Sequence, residues 1–168
     1  MAFIVEDGTG LVDSNSYVTV QEYRDYATDR GKDVTAELDA DIQGYLVEAT
    51  DYMDLSYTFK GEPSTDTQAL QFPRVIDTVD VGVPLKIKYA TIEMAFSEAK
   101  GISLFIDTEK NVTMKKEKVG PIETMYEYDT TATIYQSNAV RFPKADGYVK
   151  PYVESVNDNP GNLRAISG

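Results

Sequence analysis

The chain has 168 residues, 42% hydrophobic and 26% charged, the size and composition of one ordinary folded domain, or one domain with an arm. It contains no histidine and no cysteine, which excludes disulfides, thiolate or imidazole zinc sites, cysteine nucleophiles and every His-based triad. Sixteen basic against 28 acidic residues give a net charge of −12, and such a chain repels phosphate at long range, which disfavours nucleic-acid binding without abolishing a local patch.

The opening run Phe3-Ile4-Val5 is short and β-prone, and Asp7-Gly8-Thr9-Gly10 punctuates it as a turn. The pair of glycines lacks the third glycine and the Lys-Ser/Thr ending of a phosphate loop. Met1 to Asp7 has no basic start and meets acid at once, unlike a signal peptide, and no segment approaches the roughly 20 apolar residues of a membrane helix. The expected compartment is therefore cytoplasmic, with no membrane contact, and the sequon Asn111-Val112-Thr113 reads as chance.

Thr19-Val20-Gln21-Glu22 is a capping box and predicts a helix over residues 20–30, with Val20, Tyr23 and Ala27 on one face and Gly31 as its left-handed stop. A second helix follows Asp39 as N-cap and ends near Tyr57; Ile42, Tyr45, Leu46, Ala49, Tyr52 and Met53 lay one apolar stripe along it. Gly44 inside this helix costs about 1 kcal/mol relative to Ala, so either something packs closely there or the first turn is loose. Thr65-Asp66-Thr67-Gln68 looks like a second capping box but leads to one turn only, and residues 74–83 read as a surface loop or short hairpin. A third helix begins at Pro84 and ends at Gly101, apolar over so much of its surface that it belongs at the centre of a bundle or against a neighbouring chain. A further helical turn is expected around residues 103–106.

The character changes after residue 111. The β-rich runs 112–119 and 122–128, separated by Gly120-Pro121, predict a hairpin with Lys115, Lys116 and Lys118 on one strand and Glu123 and Glu127 on the other. Cross-strand charge pairing is the ordinary explanation for those lysines. Residues 130–168 carry Phe142-Pro143, Tyr148, Tyr152, Leu163 and Ile166 with too little periodicity for a core of their own, beyond a short helix near Lys144–Val153. They read as an extended C-terminal arm that either folds back or inserts into a partner. The fold expected is mainly α: a helical bundle (1–111), a β-hairpin (112–129) and the arm (130–168).

Carboxylate pairs such as Asp39/Asp41, Asp51/Asp54 and Asp77/Asp80 arise by chance among 28 acids, and none forms a calcium loop. The 12 tyrosines suit interfaces, although core packing is the commoner use of any one of them. The residues thus point to an assembly or interaction protein, not an enzyme, with no metal and no cofactor.

The blocks Met1-Ala2-Phe3-Ile4-Val5-Glu6-Asp7-Gly8-Thr9-Gly10-Leu11-Val12-Asp13-Ser14-Asn15-Ser16-Tyr17-Val18-Thr19-Val20, Glu48-Ala49-Thr50-Asp51-Tyr52-Met53-Asp54, Gln68-Ala69-Leu70-Gln71-Phe72-Pro73-Arg74, Val83-Pro84 with Ala90 and Glu93, Lys118-Val119-Gly120-Pro121-Ile122-Glu123 and Arg141-Phe142-Pro143 resemble, in order and over most of the chain, a family of tailed-phage structural proteins. Phe72 stands where that family usually has Trp, and Gln43-Gly44 where a more regular helix is usual. The family carries two labels, head–tail connector or adaptor protein and DnaT-like single-stranded DNA-binding protein. The first implies a ring, dodecameric in the family, docked beneath the portal protein and above a head-closure or tail-terminator protein. Duplex DNA would pass through it unbound, and the location would be the virion neck after assembly in the host cytoplasm. On this reading Phe142, Tyr148, Tyr152, Leu163 and Ile166 are expected to dock on the portal, and the hairpin residues Lys115, Lys116, Lys118, Glu123 and Glu127 to make ring contacts or line the lumen. The second label implies stacking of bases on residues such as Tyr126, Tyr128 or Tyr135.

Overall fold

The computed structural model describes residues 2–105 and 142–154, together with the backbone of residues 114–119 and 122–127. Two compact units divide the chain: Met1–Leu104 with Phe142–Gly168, and Phe105–Arg141. Among the described residues the first contains four helices, in keeping with the helical expectation, and adds a small three-stranded antiparallel sheet that the expectation lacked, a mixed α/β arrangement.

Helix α1 spans Val20–Thr28 and opens with the predicted capping box: the Glu22 N–H donates to Thr19 Oγ1 at 3.1 Å and the Thr19 N–H donates to Glu22 Oε2 at 2.8 Å. Gly31, at φ 64°, turns the chain out of it. Helix α2 spans Asp39–Ser56, but Leu38, not Asp39, is its N-cap, and no side chain caps it. Asp39 lies in the first turn, where its charge suits the positive end of the helix, and its carboxylate meets Arg24 at 2.7 Å. Ile42, Leu46, Ala49 and Met53 form the buried face of α2. Helix α3, Leu85–Ala99, follows Pro84 as N-cap and buries seven residues, as its apolar character demands. It packs on α2 on one side and on the last helix, α4 (Pro143–Val149), on the other.

The sheet is built from β1 (Glu62–Pro63), β2 (Arg74–Ile76) and β3 (Val79–Asp80), with β2 central. Strands β2 and β3 are joined through Asp77 and Thr78, both at positive φ (51° and 68°), as a tight turn between right-twisted strands requires. Strand β1 runs so close to β2 that a Cβ on Gly61 would sit 2.0 Å from the Val75 carbonyl oxygen, so only glycine fits there. Residues 65–68 do not make the helical turn that their spacing suggests: Thr65 N–H donates to Gln68 Oε1, while Gln68 Nε2 turns away to the Leu70 and Pro73 carbonyls. Residues 103–105 likewise form a bend, held by Leu104 N–H to Glu98 Oε1.

Three polar arrangements fix the unit. Glu6, 2% exposed, curls its carboxylate into the loop that follows and accepts from the amides of Gly8, Gly10 and Leu11 and from the Ser14 hydroxyl. The amides that a phosphate would use are thus taken by the chain's own anion. The Tyr17 hydroxyl donates to Asp54 Oδ1 at 2.5 Å and accepts the Phe72 N–H at 3.1 Å, while Asp54 Oδ2 takes the Gln71 N–H at 2.9 Å. Arg74, 5% exposed, donates to the carbonyls of Phe59, Lys60, Gly61 and Gln71 and to the Gln71 side chain. Phe72, fully buried between these groups, meets Tyr17, Phe59 and Tyr152 edge-on.

The segment Phe142–Glu154 is not extended. Phe142, Ala145 and Val149 are buried, the Lys60 N–H donates to the Tyr152 carbonyl and Glu154 N–H to that of Thr58. The apolar side chains at spacings of three and four make one helical face, and α3 offers it a partner. In the second unit, β4 (Met114–Val119) pairs antiparallel with β5 (Ile122–Glu127), in a register that sets Val119 opposite Ile122. This is the predicted hairpin; its Gly120-Pro121 turn lies outside the described residues.

Candidate functional site

The carboxylate pairs resolve into structural roles. Asp80 caps the Gly82 amide, Asp39 pairs with Arg24, and among the described residues no group of three or more acids could hold a metal ion. Asp54 is the most perturbed: burial, with some repulsion from Asp51, pushes its carboxyl up to about 6 against the pull of its two hydrogen-bond donors. Both of its oxygens are already engaged within the fold. A cleft of about 310 Å³ beside β1 is lined by Glu62, Asp66, Thr65 and Gln68 among others, with no cation, and so offers nothing to a phosphate.

A different chemistry gathers where the end of α1, the outer side of α3 and α4 meet. Glu93 accepts from the Tyr26 hydroxyl at 2.6 Å and from Lys144 Nζ, with Lys32 Nζ at 3.6 Å. The Arg30 guanidinium lies 3.3 Å from the centre of the Tyr26 ring and 5.2 Å from that of Tyr89, Lys32 sits 3.6 Å over Phe96, and Tyr89 and Tyr148 meet edge-on at 5.7 Å. Burial alone would raise the Glu93 carboxyl, but Lys144, Tyr26 and Lys32 outweigh it and hold it low. Burial and the neighbouring Lys144 and Lys100 lower Lys32, against the pull of Glu93, a sign of how closely the cations crowd. Hydrogen bonding to Tyr26 and then Arg30 lowers the Tyr148 phenol. Two lysines around one carboxylate, with Arg30 on the adjoining Tyr26 ring, gather three cations on this face of an acidic chain. Arg30 is exposed, Lys144 keeps 52% of its side chain exposed, and Tyr89 and Tyr148 are half-buried.

The residues singled out in the sequence fall in several places. Phe142 packs on Tyr52, Tyr148 joins the cation–tyrosine face, and Tyr152 packs on Phe72, so these three belong to the bundle unit. Leu163 and Ile166 lie outside the described residues, as do Tyr128 and Tyr135. On the hairpin the backbone register sets Lys118 opposite Glu123, Lys116 opposite Met125, Lys115 opposite Tyr126 and Glu127 opposite Met114. One of the three lysines therefore faces an acid directly across the ladder. Sequence reasoning did not bring Tyr26, Arg30, Tyr89 and Glu93 together, although Glu93 stood among the resembling residues, because the first two lie in and just after α1 and the other two in α3, far along the chain. Arg30 and Tyr26 at a spacing of four were the one local signal.

The family described as "Putative DnaT-like ssDNA binding protein" matches residues 1–168, the whole chain. No curated protein and no solved structure matches it.

Proposed function

The chain belongs to the DnaT-like ssDNA-binding family, and from that premise we propose that this member is a structural virion protein, a head-to-tail adaptor that forms a ring on the portal and part of the DNA channel of a phage neck. What carries the reading is how the described residues use their cations. Residues 2–105 and 142–154 hold 21 carboxylates against 10 lysines and arginines. Arg74 is buried under carbonyls, Arg24 joins Asp39 and two carbonyls of the α1–α2 connection, Lys88 pairs with Glu22, and Lys32 and Lys144 share Glu93. A single-strand binder needs cations free to replace counterions and aromatic faces free to stack. Here Tyr17, Tyr23, Tyr26 and Phe72 are enclosed in ring-on-ring packing. An acidic wall, in contrast, suits a conduit through which duplex DNA slides without sticking, and the blocks shared with tailed-phage neck proteins favour the same reading. No catalytic step and no cofactor enter it. The test is to add purified protein to DNA-filled heads that carry the portal: it should co-sediment with them and restore tail joining, and failure to do either would overturn the proposal.

A second reading, single-stranded DNA binding, is what the family's own description favours, and the cation–tyrosine face around Arg30 and Tyr148 gives it a place. It requires saturable binding of a mixed-sequence oligonucleotide that weakens steeply with salt, at about micromolar affinity or better. Fluorescence anisotropy decides: the adaptor reading expects a flat titration at physiological salt.

A further inference from the structure

The outward side of α2 is exposed along the length of the helix. Asp41, Gly44, Glu48, Asp51 and Leu55 succeed one another at spacings of three, four, three and four residues, opposite the buried Ile42, Leu46, Ala49 and Met53. That spacing keeps the five on one exposed face of the helix, acidic with a leucine at its end. Leu38 and Leu55, 68% and 77% exposed, bracket it at the two ends of the helix. Gly44, in mid-stripe, has no atom of the described residues, beyond its own helix backbone and chain neighbours, within 4 Å of where a Cβ would stand. A glycine there weakens the helix relative to alanine, and no contact among the described residues requires it. A bare point on a helix surface does, however, let another backbone or ring approach closely.

The cation–tyrosine face is complementary to this stripe in charge and in kind. It offers Arg30 and Lys144 with the half-buried rings of Tyr89 and Tyr148, where the stripe offers Asp41, Glu48, Asp51 and Leu55. The two surfaces share no residue, and α3 packs on both α2 and α4. One subunit can therefore present both at once, as head-to-tail association requires. We propose that the outward face of α2 in one copy of the chain docks on the cation–tyrosine face of a second copy, with the ring of a tyrosine lying over Gly44. This contact deepens the ring reading above and rests on it for its biological setting.

Sedimentation velocity of the full chain over about 1 µM to 1 mM, at low and at raised salt, tests the contact. Wild type is expected to self-associate, less so as salt rises. Gly44→Trp fills the bare point and is expected to weaken association at least tenfold while helicity by circular dichroism is kept. Arg30→Glu is expected to do the same from the other surface, and a mixture of these two variants, each monomeric alone, to form dimers and nothing larger. Adding Glu48→Lys and Asp51→Lys to Arg30→Glu is expected to restore part of the loss. A monomeric wild type throughout the range, or Gly44→Trp and Arg30→Glu proteins that associate like wild type, would overturn this contact. The adaptor reading is judged separately by joining to heads: a Gly44→Trp protein that stays monomeric yet joins heads normally would also overturn the contact, since the ring would then form without it.

Discussion

Asp54 and Glu93 sit in two regions built from the same kinds of residue, a carboxylate, tyrosines and an arginine, with opposite results. At Asp54 burial prevails and the carboxyl rises to about 6; at Glu93 it is held low. The difference lies in where the cations point. Arg74, the arginine beside Asp54, is committed chiefly to backbone carbonyls, so the carboxylate is hydrogen-bonded by a phenol and an amide and gains only a lesser charge attraction from the guanidinium. Around Glu93 two lysines face the acid and Arg30, exposed, sits over the Tyr26 ring. The first arrangement stitches loops together in the interior, and the second leaves charge at the surface where another molecule can reach it.

The largest expected effect breaks the interior arrangement. Arg74→Ala leaves several buried carbonyls without donors and should cost about 3–5 kcal/mol in denaturant unfolding. Arg74→Lys should recover little of it, because an ammonium cannot fork to so many acceptors. A loss below about 1 kcal/mol would show that the loops hold without the guanidinium.

The Asp54 carboxyl gives a pH signature of its own. Its folded value of about 6 lies above the ordinary 3.8, so its contribution to stability is fully present below about pH 4 and is lost as pH rises through about 6. Compared with Asp54→Asn, which does not titrate, wild type should lose up to about 3 kcal/mol of relative stability between pH 4 and pH 7. A pH-independent difference between the two proteins would place Asp54 outside the low-dielectric interior.

Tyr17→Phe removes the donor to Asp54 and the acceptor of the Phe72 amide while keeping the ring, and about 1–3 kcal/mol should be lost by thermal or chemical unfolding. At the surface region the effect is smallest. Lys144→Ala should change stability by no more than about 1 kcal/mol, and the change should shrink in raised salt. A loss comparable to that of Tyr17→Phe would mean that the two regions are not the contrast described.

What was legible in the sequence was local. Thr19 and Glu22 are three residues apart and meet their partners within one turn, so the start of α1 could be read directly. The buried stripe of α2 and the apolar surround of α3 follow from periodicity alone. The features that were missed depend on groups far apart in the chain. Strand β1 is two residues long, contains a proline, and exists because Gly61 lets Val75 approach. Glu6 looks like one acid among 28 until its carboxylate is seen filled with amide donors. Helix α4 was foreseen as a short helix, but its partner surface on α3 was not, although Phe142, Ala145 and Val149 at spacings of three and four were a readable sign of one. The cation–tyrosine face has no linear motif, since its members need two helices and the returning chain to meet.

That return has a topological consequence. Because Phe142 rejoins the unit that the chain leaves after Leu104, residues 105–141 are a guest inserted into a host whose two flanking residues are both buried. A host closed by its own helices does not depend on the guest's length or sequence in the way a terminal domain's linker would constrain it. Shortening the hairpin, or replacing it by a reporter, is accordingly expected to leave the host's helicity by circular dichroism unchanged.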